Sequence, residues 1–214
     1  MSRDAMVVVD MQEYFCRRDY AFGRFVAALG GAEDLTWFLD RLANTVVPAI
    51  NRLSNRARER GDMIIVTEFG SRTPTGGDLP GWARRHNELA RSLIGENIYL
   101  PLDDPASRTI TEVGAVEPDL LVQRTTSGPL AGTDVLSHLG QAGVERVQIT
   151  GVATDVCVSN WVRQLADCGF DVTVAEDACA TPFRESHDWA LRVGIAPFAS
   201  LVESAVILTG QEPP

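Results

Sequence analysis

The feature that most restricts this chain is an alternation. Short runs rich in valine and isoleucine, at residues 5–9, 63–67, 120–122, 147–151 and 172–175, are separated by longer amphipathic stretches at 44–60, 133–142, 155–168 and 185–193. Runs apolar at nearly every position suit strands buried on both faces. Their repetition with helices between them implies a parallel sheet with right-handed crossovers. The pattern therefore predicts an α/β fold: a three-layer αβα sandwich around a mainly parallel, Rossmann-like sheet of about six strands, with helices on both faces. A last strand is expected at 198–202 and a short helix at 204–208. No repeat or linker interrupts the 214 residues, so they read as one domain over 1–214.

Local signals refine the boundaries. Asn44 and Thr45 precede the periodicity of 44–60, Pro48 lies in its early turns, and Gly61 closes it. Thr154 or Asp155 is expected to cap the 155–168 helix, and Gly169 to end it. Two segments break the alternation. Residues 16–34, with Gly23, Gly30 and Gly31, read as an inserted loop or short helix. Residues 70–85, with Pro74, Gly76, Gly77, Pro80 and Gly81, read as a long loop of the kind that often covers a functional site.

Charge and composition narrow the function classes. A net charge of −10 argues against nucleic-acid or anionic-membrane partners bound through a broad basic face. No apolar run approaches the ~18 residues of a membrane helix, and the first ten residues lack a signal-peptide core, so a cytoplasmic protein is expected. All 19 basic residues are arginine. The lack of lysine excludes a Walker A loop, a Schiff base and a Ser-Lys dyad. Cys16, Cys157, Cys168 and Cys179 form no CxxC pair or zinc spacing, which leaves one of them free to be a nucleophile.

In an open parallel sheet, ligands bind beyond the carboxyl ends of the strands. Asp10, Glu68 and Arg124 stand at three such ends, and Cys157 follows the fourth within GVATDVCVSN. In the first turn of a helix, unpaired N–H groups and the positive helix end would lower the pKa of Cys157 and could hold an oxyanion. The plain alternative is a small buried residue. Asp10 reads as a general base or a loop cap, and Arg124 as a fixed charge or a structural ion pair. Phe15, Tyr14 and Trp161 are candidate pocket walls, Trp161 lying one turn beyond Cys157, with core packing as the other reading. Glu68 would bind a substrate N–H or serve a loop ion pair. Arg84, Arg85 and His86 would meet a substrate carboxylate or begin a solvated helix. Cys168 is too far along the helix to assist Cys157, and Trp37 and Trp189 read as packing.

Three ordered segments carry a resemblance across nearly the whole chain. MVVVDMQEYF resembles the strand and D-x-Q-x-x-F of the isochorismatase-like cysteine hydrolases. RTTSGPLAGTDV resembles their segment that runs from a catalytic lysine to G-T-D-L, and GVATDVCVSNWVRQLADCGFDVTVAEDACAT resembles their nucleophile motif, its helix and the next strand. The resemblance implies a Cys157 thioester with Asp10 as acid/base. It also implies a cis peptide between Val152 and Ala153 and an oxyanion held by the N–H groups of Ala153 and Cys157. Aligning Gly132, Thr133 and Asp134 with G-T-D places Arg124 where the family has lysine. Arginine keeps the charge but does not readily exchange a proton, so a hydrolase with a purely electrostatic cation, a slowed enzyme and a binding protein all follow.

The nicotinamidase branch of that superfamily binds a metal through an aspartate and nearby histidines after the second strand. Here that place reads VTEFGSRTPTGGDLPG, with no histidine before His86, so no metal and no cofactor are expected. The loop resembles that of the ureide and linear-amide hydrolases. The expected activity is hydrolysis of a C–N bond in a small amide or ureide. Its rivals are a vinyl-ether hydrolase of isochorismatase type, which needs no thiol, and a binding protein on the same scaffold. The resemblance also implies a homodimer or homotetramer.

Overall fold

Six parallel strands form the sheet of this computed structural model, which describes residues 3–113 and 118–210. They are β1 (Arg3–Val9), β2 (Met63–Phe69), β3 (Leu120–Arg124), β4 (Val144–Val152), β5 (Asp171–Ala180) and β6 (Ser200–Val202), in the order β3-β2-β1-β4-β5-β6. Val7 of β1 stands beside Ile65 of β2 and Ile149 of β4. The chain builds outward in one direction from β1 to β3 and in the other from β4 to β6. The reversal opens a crevice at the carboxyl ends of β1 and β4, the place where such sheets bind ligands.

Side chains on alternate residues of the buried strands enter two different cores. Ala5, Val7, Val9, Ile65 and Ile149 pack with α6 (Val135–Gln141) and α7 (Ser159–Asp167) on one face. Met6, Val8, Ile64 and Val66 pack on the other with α3 (Ala32–Arg41) and α4 (Val47–Arg60), joined by Ile207 and Leu208 of α9 (Ser204–Thr209). This is the three-layer arrangement that the alternation predicts. No helix among the described residues is long and apolar enough to cross a membrane.

Several boundaries differ from the sequence reading. The 16–34 segment is largely helical, with α2 (Ala21–Ala28) and the start of α3 following the short α1 (Glu13–Cys16). The last five residues of the expected 70–85 loop also belong to a helix, since α5 (Gly81–Ile94) starts directly after Pro80. Asn44 and Thr45 do not open a helix. A π-helical turn at Leu42–Val46 joins α3 to α4, and buried Leu42 and Val46 continue the apolar stripe of Leu35, Phe38, Ile50 and Leu53 through it. Gly61, in left-handed geometry, does end α4. Neither Thr154 nor Asp155 caps the next helix, because both side chains are engaged elsewhere: Thr154 Oγ1 shares a hydrogen bond with His187 Nδ1 at 2.9 Å, and Asp155 accepts from Thr181 Oγ1 at 2.6 Å. Trp189, which reads as packing in the sequence, ends α8 (Arg184–Trp189) with 60% of its surface exposed.

Gly151 fixes the crevice. Its φ is +105°, and a β-carbon there would lie 2.1 Å from the carbonyl oxygen of Val9. Only glycine allows β4 to approach β1 so closely just before the site. Gly151→Ala should destabilise the fold by about 3 kcal/mol or more, the upper end of overpacking costs, in urea denaturation. His187 supplies a pH signature: burial first and Arg41 second lower its pKa from 6.5 to about 4. The unfolded chain binds the proton more readily, so stability is full above about pH 6.5 and falls as the pH drops towards 4. His187→Gln should flatten that slope in denaturation series taken across the window.

Candidate active site

The first strand ends in an unusual turn. Asp10 has φ +49°, a left-handed conformation that aspartate tolerates better than most residues, and its backbone N–H reaches Thr67 on β2. The turn directs a fully buried carboxylate into the crevice. Thr67 Oγ1 donates to Asp10 Oδ1 at 2.6 Å, and Arg124 donates to Asp10 Oδ2 at 2.6 Å. Gln12, two residues on, locks the neighbouring backbone: its Oε1 accepts from the Phe69 N–H at 2.9 Å, and its Nε2 donates to the carbonyls of Phe69 at 3.0 Å and Ser107 at 2.7 Å.

Arg124 reaches Asp10 from two strands away. At ~4.8 Å per strand it must cross β2, and it does so over the Phe69 ring, whose centroid is 5.7 Å from the guanidinium carbon. The Trp161 ring lies 5.8 Å away, and a further N–H donates to the Thr126 carbonyl. Both ions of the pair are removed from solvent. Such a pair gains little over apolar packing, but loss of one partner leaves an uncompensated buried charge.

Cys157 completes the cluster from the other side of the crevice. A π-helical turn at Thr154–Val158 follows β4 and holds the buried Cys157 thiol near enough to Asp10 and Arg124 to feel both charges. The expected low pKa is not what this environment produces. Burial raises the thiol well above its ordinary value, Asp10 raises it further, and Arg124 only partly opposes them. The environment thus favours the neutral thiol over the thiolate beside the Asp10–Arg124 pair. The Val152–Ala153 peptide is cis, and both residues border the same cavity as Cys157.

That cavity is about 300 Å³, with Asp10 and Cys157 in its lining and aromatic rings around them. Phe15, Phe22, Phe69, Trp82 and Tyr99 form a contiguous set, with centroids 5.0 Å apart for Phe15–Phe22 and 5.1 Å for Phe69–Tyr99. His86 Nδ1 lies 3.0 Å from the Tyr99 hydroxyl, while Asp155, Thr181 and Phe183 also border the cavity. A larger hollow of about 510 Å³ lies at the amino ends of the strands, but no cysteine or histidine is among its described lining residues, and its Asp4 is engaged by Arg60 and Arg146.

Asp10, Arg124, Cys157, Val152, Ala153 and Phe15 thus come together, whereas two expected contacts do not. Glu68 is out of phase with Thr67 and Phe69 and faces away from the cavity. There it accepts from Arg108 at 2.8 Å, Gln123 at 2.9 Å and the Thr109 N–H at 3.2 Å. Trp161 shares a helical face with Cys157, but one turn further on that face lies in the core beneath Arg124, not at the rim. Tyr14 is also internal, donating to the Phe69 carbonyl at 2.8 Å. Sequence reasoning missed Phe22, Trp82 and Tyr99, which lie in the segments whose periodicity was weakest or on the far side of them, while His86, a candidate together with Arg84 and Arg85, does border the cavity.

No three His, Cys, Asp or Glu side chains among the described residues are arranged to hold a metal ion. The donors in the relevant segment are committed locally. Asp78 accepts from the Arg72 N–H at 2.7 Å, from Thr73 Oγ1 at 3.0 Å and from Ser71, while His86 pairs with Tyr99.

The family model described as "Isochorismatase domain" matches residues 4–206. The chain is similar to the ureidoacrylate amidohydrolase RutB of Stutzerimonas stutzeri, with 27% identity over 95% of this chain and 80% of that protein. It is 33% identical to Nicotinamidase 3 of Arabidopsis thaliana over 58% of this chain and 67% of the relative. Among solved structures, a cysteine hydrolase from Pseudomonas syringae pv. phaseolicola superposes with a TM-score of 0.76 at 20% identity, covering 97% of this chain and 91% of that one.

The electrostatics predict opposite effects for two substitutions. Asp10→Asn removes the anion that opposes thiolate formation and leaves Arg124 in place, so alkylation of Cys157 should quicken at pH 7 and its apparent pKa should fall. Arg124→Met should slow alkylation and destabilise the fold by about 3–5 kcal/mol, because Asp10 loses its buried counter-charge. Iodoacetamide rate–pH profiles with urea denaturation test both; no change in either profile would mean that the thiol does not sense these charges.

Proposed function

The chain belongs to the isochorismatase family, and from that membership we propose that it is a cysteine-dependent amidohydrolase that cleaves the C–N bond of a small amide or ureide. The observation that carries the proposal is the buried contact among Cys157, Asp10 and Arg124 beside a substrate-sized cavity. It is supported by likeness to relatives named as an amidohydrolase and a nicotinamidase.

The neutral thiol determines the order of events. As Cys157 Sγ attacks the carbonyl carbon, its proton passes to Asp10, the carboxylate that borders the same cavity. The carbonyl π electrons move to oxygen, and the N–H groups of Ala153 and Cys157 are the proposed donors to that oxyanion. Collapse breaks the C–N bond, the nitrogen leaves with the proton held by Asp10, and a thioester remains. Water then attacks the thioester and returns a proton to Asp10. The C–S bond breaks, the sulfur recovers the proton, and the acid is released.

Arg124 needs no proton exchange in this sequence. It keeps Asp10 ionised between steps and partly balances charge on sulfur, while Thr67 fixes the other carboxylate oxygen. Vinyl-ether hydrolysis would use Asp10 but leave the adjoining thiol without a task.

An ammonia-release screen across amides and ureides, with mass spectrometry of quenched enzyme, tests the proposal. The wild type should release ammonia and accumulate a covalent acyl adduct on Cys157. Cys157→Ser and Asp10→Asn should each lower kcat/KM by roughly 10³-fold or more, as removal of members of a nucleophile–base unit does. Arg124→Lys keeps the charge but gives up the Thr126 bond, and should cost about tenfold. Binding of amides without adduct or release would make the chain a binding protein.

A further inference from the structure

Resting on the amidohydrolase reading, we propose that this cavity selects by charge: its substrate is an uncharged or cationic amide with an apolar body about the size of one aromatic ring, and Asp155 is a specificity residue that disfavours carboxylate-bearing amides. The first support is the lining. Phe15, Phe22, Phe69, Trp82 and Tyr99 present ring surface around Cys157, which favours an apolar body and, through their faces, tolerates a cation.

The second support is the distribution of charge. The ionised side chains that border the cavity are Asp10 and Asp155, and no arginine is among the described lining residues. Of the arginines near it, Arg124 is committed to Asp10 and the Thr126 carbonyl, Arg108 to Glu68 and Arg84 to the Leu79 carbonyl, while Arg85, whose charge reaches His86, is not in the cavity lining. The sequence offers no lysine in their place. His86 borders the cavity too, but burial, with Arg85 adding to it, holds its pKa below the ordinary value, so it is neutral at pH 7. A carboxylate entering this space would shed water without gaining a counter-charge. Asp155 adds repulsion from a defined place, since Thr181 Oγ1 donates to its Oδ1 at 2.6 Å. The overall charge of −10 acts in the same sense at longer range. The relative named for ureidoacrylate acts, by that name, on a carboxylate-bearing molecule, so the inference separates this chain from it.

The test uses the full chain carrying Cys157→Ala, so that binding is read without turnover. Benzamide, 4-carbamoylbenzoate and 4-(aminomethyl)benzamide share one ring and differ in charge. Calorimetry at low salt should show the neutral and cationic probes binding and the carboxylate at least about tenfold weaker than benzamide, the scale of a like-charge contact across partly solvated space. Added salt should narrow that gap. Asp155→Asn in the same background retains an acceptor for Thr181 and should narrow it several-fold. Equal or tighter binding of the carboxylate, a gap that survives both salt and Asp155→Asn, or no binding of any probe would overturn the inference. Wild-type turnover is scored separately: the expected binding order without ammonia release would uphold charge selection and defeat the hydrolase reading, and turnover with the reverse order would do the opposite.

Discussion

The ion pair between Asp10 and Arg124 is the constraint on which the rest of the site depends. Both groups are buried, so removing either one would leave the other an uncompensated charge. Everything adjacent serves that pairing. The left-handed turn at Asp10 aims the carboxylate, Thr67 holds its second oxygen, and Phe69 and Trp161 flank the guanidinium. Gln12 binds the backbone of Phe69, the ring that Arg124 must cross. A site organised in this way gives up some stability for a carboxylate that is anionic, oriented and dry.

Cys157 has to be understood within that pair. A helix start alone would favour a thiolate, and the sequence reading expects one. Burial and the neighbouring carboxylate reverse the sign, because a second anion beside Asp10 would share a single arginine. That direction favours the proton on sulfur, and in the proposed mechanism it moves only when a carbonyl is there to receive the electron pair. This arrangement also shields the thiol from adventitious alkylation and oxidation, which proceed through the thiolate.

The fold was legible because the runs that became strands are apolar at nearly every position, a pattern that two-sided burial explains. The reactive groups were legible for a related reason. Asp10, Arg124 and Cys157 sit where strands end, and a parallel sheet gathers its strand ends on one edge. The cavity wall was much harder to read. Phe22 and Trp82 lie in the segments that looked like an inserted loop and a lid, where glycines and prolines masked α2 and the start of α5. Glu68 and Trp161 went wrong by phase and by depth. One residue of strand register sends Glu68 to the opposite face, and one helical turn carries Trp161 from the rim into the core.

Arginine where the resemblance places a lysine looks at first like a loss, yet the local shape suits it. The guanidinium lies between two aromatic rings and reaches two acceptors, Asp10 on one side and the Thr126 carbonyl on the other. A planar cation with several fixed donors fits that geometry, whereas an ammonium would concentrate its charge at one point. Arginine also keeps its proton under all relevant conditions, so in the proposed mechanism the general-base role falls on Asp10 alone. The neutral thiol and the permanent cation are consistent with each other in that proposal: one movable proton passes between sulfur and carboxylate beneath a charge that does not change.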